Sequence, residues 1–377
     1  MTAPVVVQVA DQRALLAQVL DATGAGTPCA VLDVTWPAEV LASARASLRD
    51  AADGGDLTSG DLVLFTSGST ARPRPVARTV ASWRASVDPL RDVLELEPDD
   101  VVWLPGPLWS SLFLYGAWHA SVLALDTVLR DESPDAATVV HCVPTQVPDL
   151  LQRRGQGELA ALRLLVVAGD RLARGRRRDA ERLGLRVVEY YGAAELSFVA
   201  WRDDDGPLRA FPRVELEVRA GVLWARSPYL ARGYLGPADG PFRRDDARWA
   251  TVGDLASEHP GGVEVLGRGT SAITTGGHTV VVEDVEHWLR RLRGVTDAAV
   301  LGVPHARLGQ ALVAVVVGDV ALEDLRRASR ELPSASRPRR WLRAGALPRS
   351  SAGKLRRHDL LDLAAAQLRW DAPRRQS

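Results

Sequence analysis

Short apolar runs alternate with amphipathic segments along most of the chain, and this alternation constrains the fold more than any other feature. The apolar runs predict buried strands, and charges at helical spacing predict helices that cover them. The strand candidates are residues 61–65, 164–168, 186–190, 263–266, 298–301 and 311–317. The helix candidates are residues 174–183, 283–292 and 321–332. The pattern indicates an α/β protein.

The length of the chain indicates the number of domains, and its charge indicates which kinds of binding partner to expect. The chain has 377 residues, 46% of them apolar, which is enough for a sizeable core and for two or three domains. Lysine and arginine together number 47, as do aspartate and glutamate, so we expect neither nucleic acid nor membrane as a partner. Two basic runs, residues 171–178 and 337–343, fit solvated faces or polyphosphate contacts, and we favour solvated faces.

The cysteine content and the lengths of the apolar runs indicate in which cellular compartment the protein is expected. Cys29 and Cys142 are the two cysteines, too few for a disulfide framework or a cysteine-rich zinc site. The first residues lack the basic lead of a secretory signal, and no apolar run reaches the roughly 20 residues that cross a bilayer. We expect a soluble, cytoplasmic protein whose two thiols are buried.

Lysine usage singles out one position near the C-terminus. Lys354 is the only lysine among the 47 lysines and arginines. Lysine carries a compact ammonium on a flexible stem, and it reaches a single oxygen in a crowded site where a planar guanidinium does not fit. Two interpretations stay open on position alone. Lys354 is either a chance remnant of an arginine-biased composition or a residue with a task that arginine cannot perform.

A loop rich in hydroxyl groups follows the strand candidate 61–65. This hydroxyl-rich loop, residues 66–74, contains Thr66, Ser67, Gly68, Ser69, Thr70 and Arg74. Its small donors can surround phosphate oxygens. The loop lacks the Gly-Lys-Ser/Thr of a Walker A loop and the G-x-S-x-G spacing of a hydrolase nucleophile, so its serines are interpreted as ligands. Taken alone, it is equally consistent with a plain surface loop.

The segment TSGSTARPRPV resembles the phosphate-binding signature of the adenylate-forming enzymes, which include acyl- and aryl-CoA synthetases, luciferases and peptide-synthetase adenylation domains. Further segments resemble this family's signatures in the same order. They are YYGAAE at 190–195, WATVGD at 249–254, GR with ITTGGHTV within 267–280, and PRSSAGKLRR at 348–357. Because five ordered signatures are hard to produce by chance, the chain is identified as a member of this family.

The resemblance implies roles for individual residues. Lys354 and Glu195 would be the catalytic residues, Lys354 bridging the carboxylate and the α-phosphate, and Glu195 binding Mg²⁺. The hydroxyl-rich loop would hold the triphosphate, and a glycine loop would admit a pantetheine arm. The other residues implied to bind ATP or the acceptor are Tyr191, Gly192, Asp254, Arg268, Gly276 and Gly277.

The resemblance also implies the domain organisation. A large N-terminal α/β domain would span residues 1–268, and a small, mobile C-terminal α+β domain carrying Lys354 would span residues 269–377. Only residues 1–65 precede the hydroxyl-rich loop, fewer than is usual in the family, so the large domain is expected to be N-terminally shortened. This brevity resembles the short o-succinylbenzoate:CoA ligases, as does the wording ITTGGHTV.

The stretch 103–119 lies where the family builds its acid pocket. Trp109, Ser110, Trp118 and His119, together with Gly169, are the predicted pocket residues. A tryptophan-rich core segment is an equally good interpretation of any one of them. No aspartate in the stretch can receive an α-ammonium group, so an aryl or short acyl acid is favoured over an amino acid.

Several positions depart from the family pattern. Ala71 and Arg74 replace the usual glycine and lysine of the phosphate loop, and Ala194 removes a hydroxyl next to Glu195. Thr270 and Ser271 replace the paired acidic residues of the hinge, and Val252 replaces a threonine. A slower adenylation, or a catalytically retired homologue, would follow. Retention of the implied catalytic residues argues against the retired homologue.

The predicted function is therefore ATP-dependent activation of an acid to an acyl-adenylate, with transfer to a thiol. The implied cofactors are ATP, Mg²⁺ and CoA, or the phosphopantetheine of a carrier protein supplied in trans, since no carrier domain is recognised after residue 360. Two alternatives stay open: a stand-alone adenylation enzyme that serves a carrier protein or a non-thiol nucleophile, and a retired nucleotide-binding homologue.

Overall fold

The computed structural model describes residues 4–66, 73–172, 174–236, 240–268, 272–275, 278–305, 308–332, 334–350 and 355–368. These residues form two compact units. The larger unit comprises the described residues up to 252 together with 257–264, and the smaller unit comprises 253–256 and the described residues from 265 onward. The predicted domain boundary between residues 268 and 269 stays a prediction.

Helices and strands alternate through the first part of the larger unit, and short strands follow. In chain order the elements are β1 (Val5–Val7), α1 (Gln12–Gly24), β2 (Cys29–Val31), α2 (Ala38–Asp53), β3 (Asp61–Thr66), β4 (Arg74–Thr79), α3 (Val80–Arg84), α4 (Val87–Leu94), β5 (Val101–Leu104), α5 (Ser111–Val122), β6 (Asp126–Leu129), β7 (Val139–Cys142), α6 (Val147–Gly155), β8 (Leu164–Ala168), α7 (Arg174–Arg182), β9 (Arg186–Ala193), β10 (Ser197–Arg202), β11 (Arg209–Ala210), β12 (Glu215–Arg219), β13 (Val222–Arg226), β14 (Gly233–Tyr234), β15 (Arg243–Arg244) and β16 (Ala250–Thr251).

Two strands contain residues of both units, and the rest of the chain forms the smaller unit. The elements continue with β17 (Asp254–His259), β18 (Gly262–Arg268), β19 (Ala272–Thr275), β20 (His278–Val281), α8 (Val282–Arg290), β21 (Val295–His305), β22 (Gly309–Gly318), α9 (Leu322–Ala328), two 3-10 turns (Ser329–Glu331 and Ser334–Ser336), β23 (Arg340–Arg343) and α10 (Arg357–Leu368).

The first sheet of the larger unit has the strand order β1-β2-β3-β4-β14. β1, β2 and β3 are parallel, whereas β4 runs antiparallel to both β3 and β14. Helix α1 begins where the Asp11 side chain accepts from the Ala14 N–H at 2.8 Å, which satisfies one of the free donors of its first turn. Leu48 of α2 packs with Leu32, Val63 and Leu235 in the core on one side of this sheet.

The second sheet has the order β11-β10-β9-β8-β7-β5-β6, and its strands from β9 to β6 are parallel. Every residue of β7 and of β8 is buried, as expected for parallel strands covered on both faces. One core of this sheet joins Leu165 and Val167 to residues of α6 and α7. The third sheet has the order β15-β16-β13-β17-β18, with β12 paired to β13.

The smaller unit is built on one mixed sheet with two cores. β20, β19, β22 and β21 are antiparallel neighbours, and β23 runs parallel to β22. Alternate residues of β22 point to opposite faces, so Ala314 and Val316 pack with Leu289 of α8, while Val313 packs with Leu360 of α10. Each unit therefore has its own hydrophobic core.

The predicted fold class is confirmed, and the observed elements differ from the prediction mainly in length. β9 extends three residues past the predicted end at 190, because Tyr191 to Ala193 pair with β10 after the parallel contact with β8 ends. The predicted helix 321–332 ends as α9 at Ala328 and continues as a 3-10 turn. Cys29 in β2 and Cys142 in β7 are both buried, as predicted. In the described part of the chain, no helix is both long and apolar enough to cross a membrane.

Candidate functional site

Predicted residues gather where parallel strands of the second sheet end. The loop after β5 carries Trp109 and Ser110, the residue after β8 is Gly169, and the last residues of β9 include Tyr191 and Gly192. β5 and β8 lie on either side of β7, and β9 is the next strand. Open α/β sheets bind ligands in the crevice at the carboxyl ends of their strands. These predicted residues therefore lie on the edge at which such a ligand is expected.

The hydroxyl-rich loop is the connection of the β3–β4 hairpin. Thr66 and Arg74 are directly opposite each other and form the last pair of this antiparallel ladder. The sheet thus fixes both ends of the loop. The predicted ligands between these ends, Ser67, Gly68, Ser69 and Thr70, lie outside the described residues.

Glu195 lies in the tight turn between β9 and β10, and it is 3% exposed. The Leu196 N–H donates to the Ala193 carbonyl at 3.1 Å within this turn. A Cβ atom added to Gly192 would lie 2.0 Å from the Ser197 carbonyl oxygen, so the two strands approach too closely for any other residue. The turn therefore holds a carboxylate in a buried position next to Gly192.

Tyr234 contacts the Glu195 carboxylate directly. Its hydroxyl donates to Glu195 Oε1 at 2.8 Å. Tyr234 belongs to β14 and lies opposite Val76 of β4, so it shares a face of the first sheet with Arg74. Burial raises the pKa of Tyr234, the charge and hydrogen bond of Glu195 raise it further, and the Arg74 guanidinium opposes them. The hydroxyl therefore stays protonated and keeps donating at neutral pH.

Arg78 ties the Glu195 turn to β4. Its guanidinium, 1% exposed, donates to the Ala194 carbonyl at 3.0 Å, to the Tyr229 carbonyl and to Ser82 Oγ. Burial lowers the pKa of Arg78 to about 10, so the group stays charged at neutral pH. No carboxylate in the described part of the chain forms an ion pair with it. Arg78 therefore adds a buried positive charge beside the turn.

The charge of the site fits a phosphate ligand and a divalent cation. Arg74 and Arg78 are cations on the same face of β4, and Glu195 supplies one carboxylate. Among the described residues, no group of three or more His, Cys, Asp or Glu side chains could hold a metal ion. Mg²⁺ is commonly bound through one or two carboxylates together with substrate phosphates, so the single carboxylate of Glu195 is a donor set that suits it. The donor set thus fits Mg²⁺ held jointly with a nucleotide.

Trp118 and His119 of α5 are buried in an aromatic cluster on one side of this helix. Trp118 contacts Trp83 and Tyr115, with ring centroids 5.4 and 6.0 Å apart. His119 stacks on Tyr115, its Nε2 donates to the Val87 carbonyl at 2.9 Å, and burial lowers its pKa to about 4. These contacts favour the core interpretation that the sequence left open. Trp109 and Ser110 are only half-buried and stay candidates for a pocket wall.

The remaining predicted residues either lie in other elements or are outside the described residues. Asp254 is buried at the start of β17, directly after Gly253 with a φ of +76°. Arg268 ends β18, and its side chain is outside the described set. Gly276, Gly277 and Lys354 lie outside the described residues. The structure thus brings together Thr66, Arg74, Tyr191, Gly192 and Glu195 within the larger unit, and we call this group, with Arg78 and Tyr234, the nucleotide cluster.

Sequence reasoning missed Arg78 and Tyr234. Arg78 meets Ala194 across 116 positions of the chain, and Tyr234 meets Glu195 across 39. Neither residue lies in a short motif that a single sequence makes visible. A weak signal was present for Arg78, because it follows the apolar residues Pro75 to Ala77 in a strand segment where a buried charged residue is unusual.

The smaller unit contains an open basic cavity of about 320 Å³. Its lining includes the arginines 326, 330, 337 and 339, together with Trp341. Arg337 donates to the Leu332 carbonyl at 2.8 Å and to the Arg330 carbonyl at 2.9 Å, which fixes the chain around the cavity. Within the described residues, none of these four guanidiniums forms an ion pair with a carboxylate. We call this feature the basic cavity.

A buried carboxylate in the turn after β9, together with the carboxyl ends of parallel strands in the second sheet, is typical of ligand-binding proteins of the α/β class. Comparison with known families is more specific. Residues 2–235 match the family described as AMP-binding enzyme, and residues 284–354 match the AMP-binding enzyme C-terminal domain. The chain belongs to the AMP-binding enzyme family, and the predicted resemblance to adenylate-forming enzymes is confirmed.

Relatives in the family carry ligase names. The chain is 29% identical over 324 residues to the uncharacterized acyl-CoA ligase YhfT of Bacillus subtilis, covering 78% of this chain and 66% of that protein. It is 31% identical over 339 residues to a probable 2-succinylbenzoate-CoA ligase of Mycobacterium tuberculosis, covering 80% of this chain and 83% of that protein. The chain thus spans slightly less than two thirds of the length of YhfT.

The fold is that of solved adenylate-forming enzymes. The o-succinylbenzoate CoA synthetase MenE of Bacillus subtilis, in complex with an acyl-adenylate intermediate, matches with a TM-score of 0.82 at 17% identity. The match covers 95% of this chain and 87% of that one. Such enzymes have a large N-terminal and a small C-terminal domain, which agrees with the predicted fold class.

Proposed function

We propose that the protein activates a carboxylic acid, aryl or short acyl, with ATP and transfers the acyl group to a thiol, with CoA as the favoured acceptor. The observation that carries the proposal is the nucleotide cluster: the two ends of the hydroxyl-rich loop, the end of β9 and a buried glutamate belong to one unit. Ligase names among relatives of similar sequence support the same reaction class.

The proposed reaction has two displacement steps. A carboxylate oxygen of the acid attacks the α-phosphorus of ATP, and the bond from this phosphorus to the bridging oxygen breaks, which releases pyrophosphate. The thiol sulfur then attacks the carbonyl carbon of the acyl-adenylate, and AMP leaves. Negative charge builds up on the phosphates in the first step, so preorganised donors and cations lower its barrier.

Each predicted site residue would have a separate role in this reaction. The hydroxyl-rich loop and Arg74 would hold the β- and γ-phosphates, and Lys354 would neutralise charge between the carboxylate and the α-phosphate. Glu195 would hold Mg²⁺, which supplies charge neutralisation on phosphate oxygens when bound. Asp254 and Arg268 would orient the ribose, and Tyr191 with Gly192 would bind the adenine.

The remaining predicted residues would serve the acid and the acceptor. Trp109, Ser110 and Gly169 would line the acid pocket at the carboxyl edge of the second sheet. Gly276 and Gly277 would let a pantetheine arm approach the backbone. The basic cavity supports CoA over a plain thiol, because four guanidiniums without carboxylate partners among the described residues suit a ligand that carries phosphates.

The acceptor is tested by removing charge from the basic cavity. We expect the double variant Arg326→Ser/Arg330→Ser to raise KM for CoA about tenfold, the size expected for lost charge-assisted hydrogen bonds, and to leave KM for pantetheine, which carries no phosphate, unchanged. The matched control is Arg340→Ser, since Arg340 is exposed in β23 but does not line the cavity. Equal effects on both thiols, or none, would remove the cavity from the acceptor site.

The reaction is tested by mass spectrometry of adenylates and thioesters. The protein is incubated with Mg-ATP and a panel of aryl, dicarboxylic and short acyl acids, with and without CoA. We expect an acyl-AMP that converts to acyl-CoA, and Lys354→Ala should abolish pyrophosphate release while ATP still binds. An adenylate that accumulates despite CoA would favour a carrier protein or another acceptor. ATP binding without any adenylate, in both proteins, would favour the retired homologue.

A further inference from the structure

We propose that Tyr234 is a positioning residue that fixes the Glu195 carboxylate for the cation bound with the nucleotide. The inference rests on the proposed role of Glu195. Its basis is the 2.8 Å hydrogen bond from the Tyr234 hydroxyl to Glu195 Oε1. Among the hydrogen bonds between described residues, none reaches the second oxygen, Oε2. We infer that Tyr234 fixes one oxygen and that the other is the one that would bind the cation.

The backbone around Glu195 is held by the segment that precedes β14 and by Arg78 of β4. The Ala231 N–H donates to the Glu195 carbonyl at 2.8 Å, and Arg78 binds the carbonyls of both Ala194 and Tyr229. The segment that leads into β14 is therefore fixed to the turn at the main chain. The Glu195 side chain extends from this fixed main chain, and the Tyr234 hydroxyl restrains its carboxylate.

The Tyr234 ring is itself held in place. A Cβ atom on Gly240 would lie 2.3 Å from a carbon of the ring and 2.7 Å from its hydroxyl, so a glycine is needed for the ring to pack there. Phe242 also contacts the ring, with the two centroids 6.3 Å apart and the ring planes at 79°. Because the Tyr234 ring is already restrained, its side chain loses little conformational entropy when it donates to Glu195. The carboxylate is thus held in one orientation before a metal binds.

Binding of ATP with and without Mg²⁺ tests the inference without turnover. A non-hydrolysable ATP analogue is titrated calorimetrically into the full chain. We expect Tyr234→Phe to weaken binding about tenfold in Mg²⁺, the lower end of the range for a hydrogen bond to a charged group, and to leave binding in EDTA unchanged. Tyr229→Phe is the matched control, because it removes a buried hydroxyl that donates to the Pro212 carbonyl at 2.7 Å in the same segment.

A double-mutant cycle separates action through Glu195 from an independent effect. The variants are Tyr234→Phe, Glu195→Gln and their combination, with melting temperature recorded for each. If Tyr234 acts through Glu195, the double variant binds Mg-ATP no more weakly than Glu195→Gln alone. Additive losses, or a Tyr234→Phe affinity equal to that of the wild type, would overturn the inference. If Glu195→Gln leaves the Mg²⁺ dependence of ATP binding intact, both the proposed role of Glu195 and the inference about Tyr234 are wrong.

A second variant perturbs the same hydrogen bond while keeping the hydroxyl. Gly240→Ala pushes on the Tyr234 ring, so the loss in Mg-ATP affinity should resemble that of Tyr234→Phe. An unchanged affinity would count against restraint by the ring. These measurements do not require turnover. Absence of adenylate with every acid would contradict the proposed function and leave this inference standing on the binding data.

Discussion

Buried titratable side chains are the residues with the clearest consequences for behaviour in solution. His141 in β7 and His119 in α5 are both buried, and the structure gives His141 Nδ1 no hydrogen-bond partner among the described residues. Burial lowers the pKa of His141 to about 3, and the nearby His119 adds to this effect. Both side chains are therefore neutral in the folded protein over the whole physiological range.

We predict that stability falls as pH decreases from about 6.5, because the unfolded chain binds protons that folded His141 and His119 cannot bind. Above pH 6.5 both states are neutral and the contribution is fully present. Each histidine accounts for up to about 1.4 kcal/mol per pH unit, and His141→Asn should remove about 2 kcal/mol of the difference between pH 7 and pH 5. Urea unfolding at the two pH values measures this.

The control for this pH dependence is Val140→Ala, because Val140 is a fully buried residue of β7 without a titratable group. Its replacement should lower stability by the same amount at pH 7 and at pH 5. An identical pH dependence in wild type and His141→Asn would mean that another group accounts for acid destabilisation.

Among the helices and strands, the β9–β10 hairpin is the element whose packing determines the position of a candidate site residue, Glu195. Its two strands approach so closely at Gly192 that no Cβ fits, and its turn carries Glu195. The obstacle is the Ser197 carbonyl, a backbone atom that cannot turn aside as a flexible side chain would.

We expect Gly192→Ala to destabilise the protein by about 3 kcal/mol, the upper part of the range for overpacking, and to weaken ATP binding by displacing the turn. Gly175→Ala is the matched control: Gly175 lies in helix α7, and an added Cβ meets nothing within 4 Å. There alanine should raise stability by about 0.5–1 kcal/mol through its better helix propensity. Denaturant unfolding and ATP titration measure both variants, and a wild-type stability for Gly192→Ala would contradict the hairpin argument.

Local patterns in the sequence predicted where the helices and strands lie, but they did not predict which distant residues contact each other. The apolar runs located β3, β8 and β22, because a strand buried on its faces needs such a run. The motif around Tyr191 and Gly192 located the end of β9. Trp118 and His119 could not be placed, since helix α5 is apolar on nearly all sides and no single face marks a pocket. The roles of Arg78 and Tyr234 depend on distant partners that only the fold brings together.

Within the described residues, the hydrophobic cores of the larger unit and those of the smaller unit share no residue. Leu165 of β8 lies in a core of the larger unit, and Leu289 of α8 lies in a core of the smaller unit. Both side chains are fully buried. Domains with separate cores generally unfold as separate cooperative units.

We predict two thermal transitions in scanning calorimetry of the full chain. Leu165→Ala should lower one transition temperature and Leu289→Ala the other, each corresponding to about 3 kcal/mol of local destabilisation from a buried cavity. The two variants are controls for one another because the chemical change is the same. A single transition shifted by both variants would show that the units unfold together.

The burial of Cys29 and Cys142 has a consequence for the proposed reaction, which would produce a reactive acyl-adenylate. Burial raises the pKa of both thiols to about 12, so at neutral pH they are protonated and shielded from solvent. Neither can intercept an activated acyl group, and neither reacts readily with thiol reagents. A cysteine introduced on the surface would therefore be the one readily labelled thiol, and a fluorophore attached there would report movement of either unit without removal of the native residues.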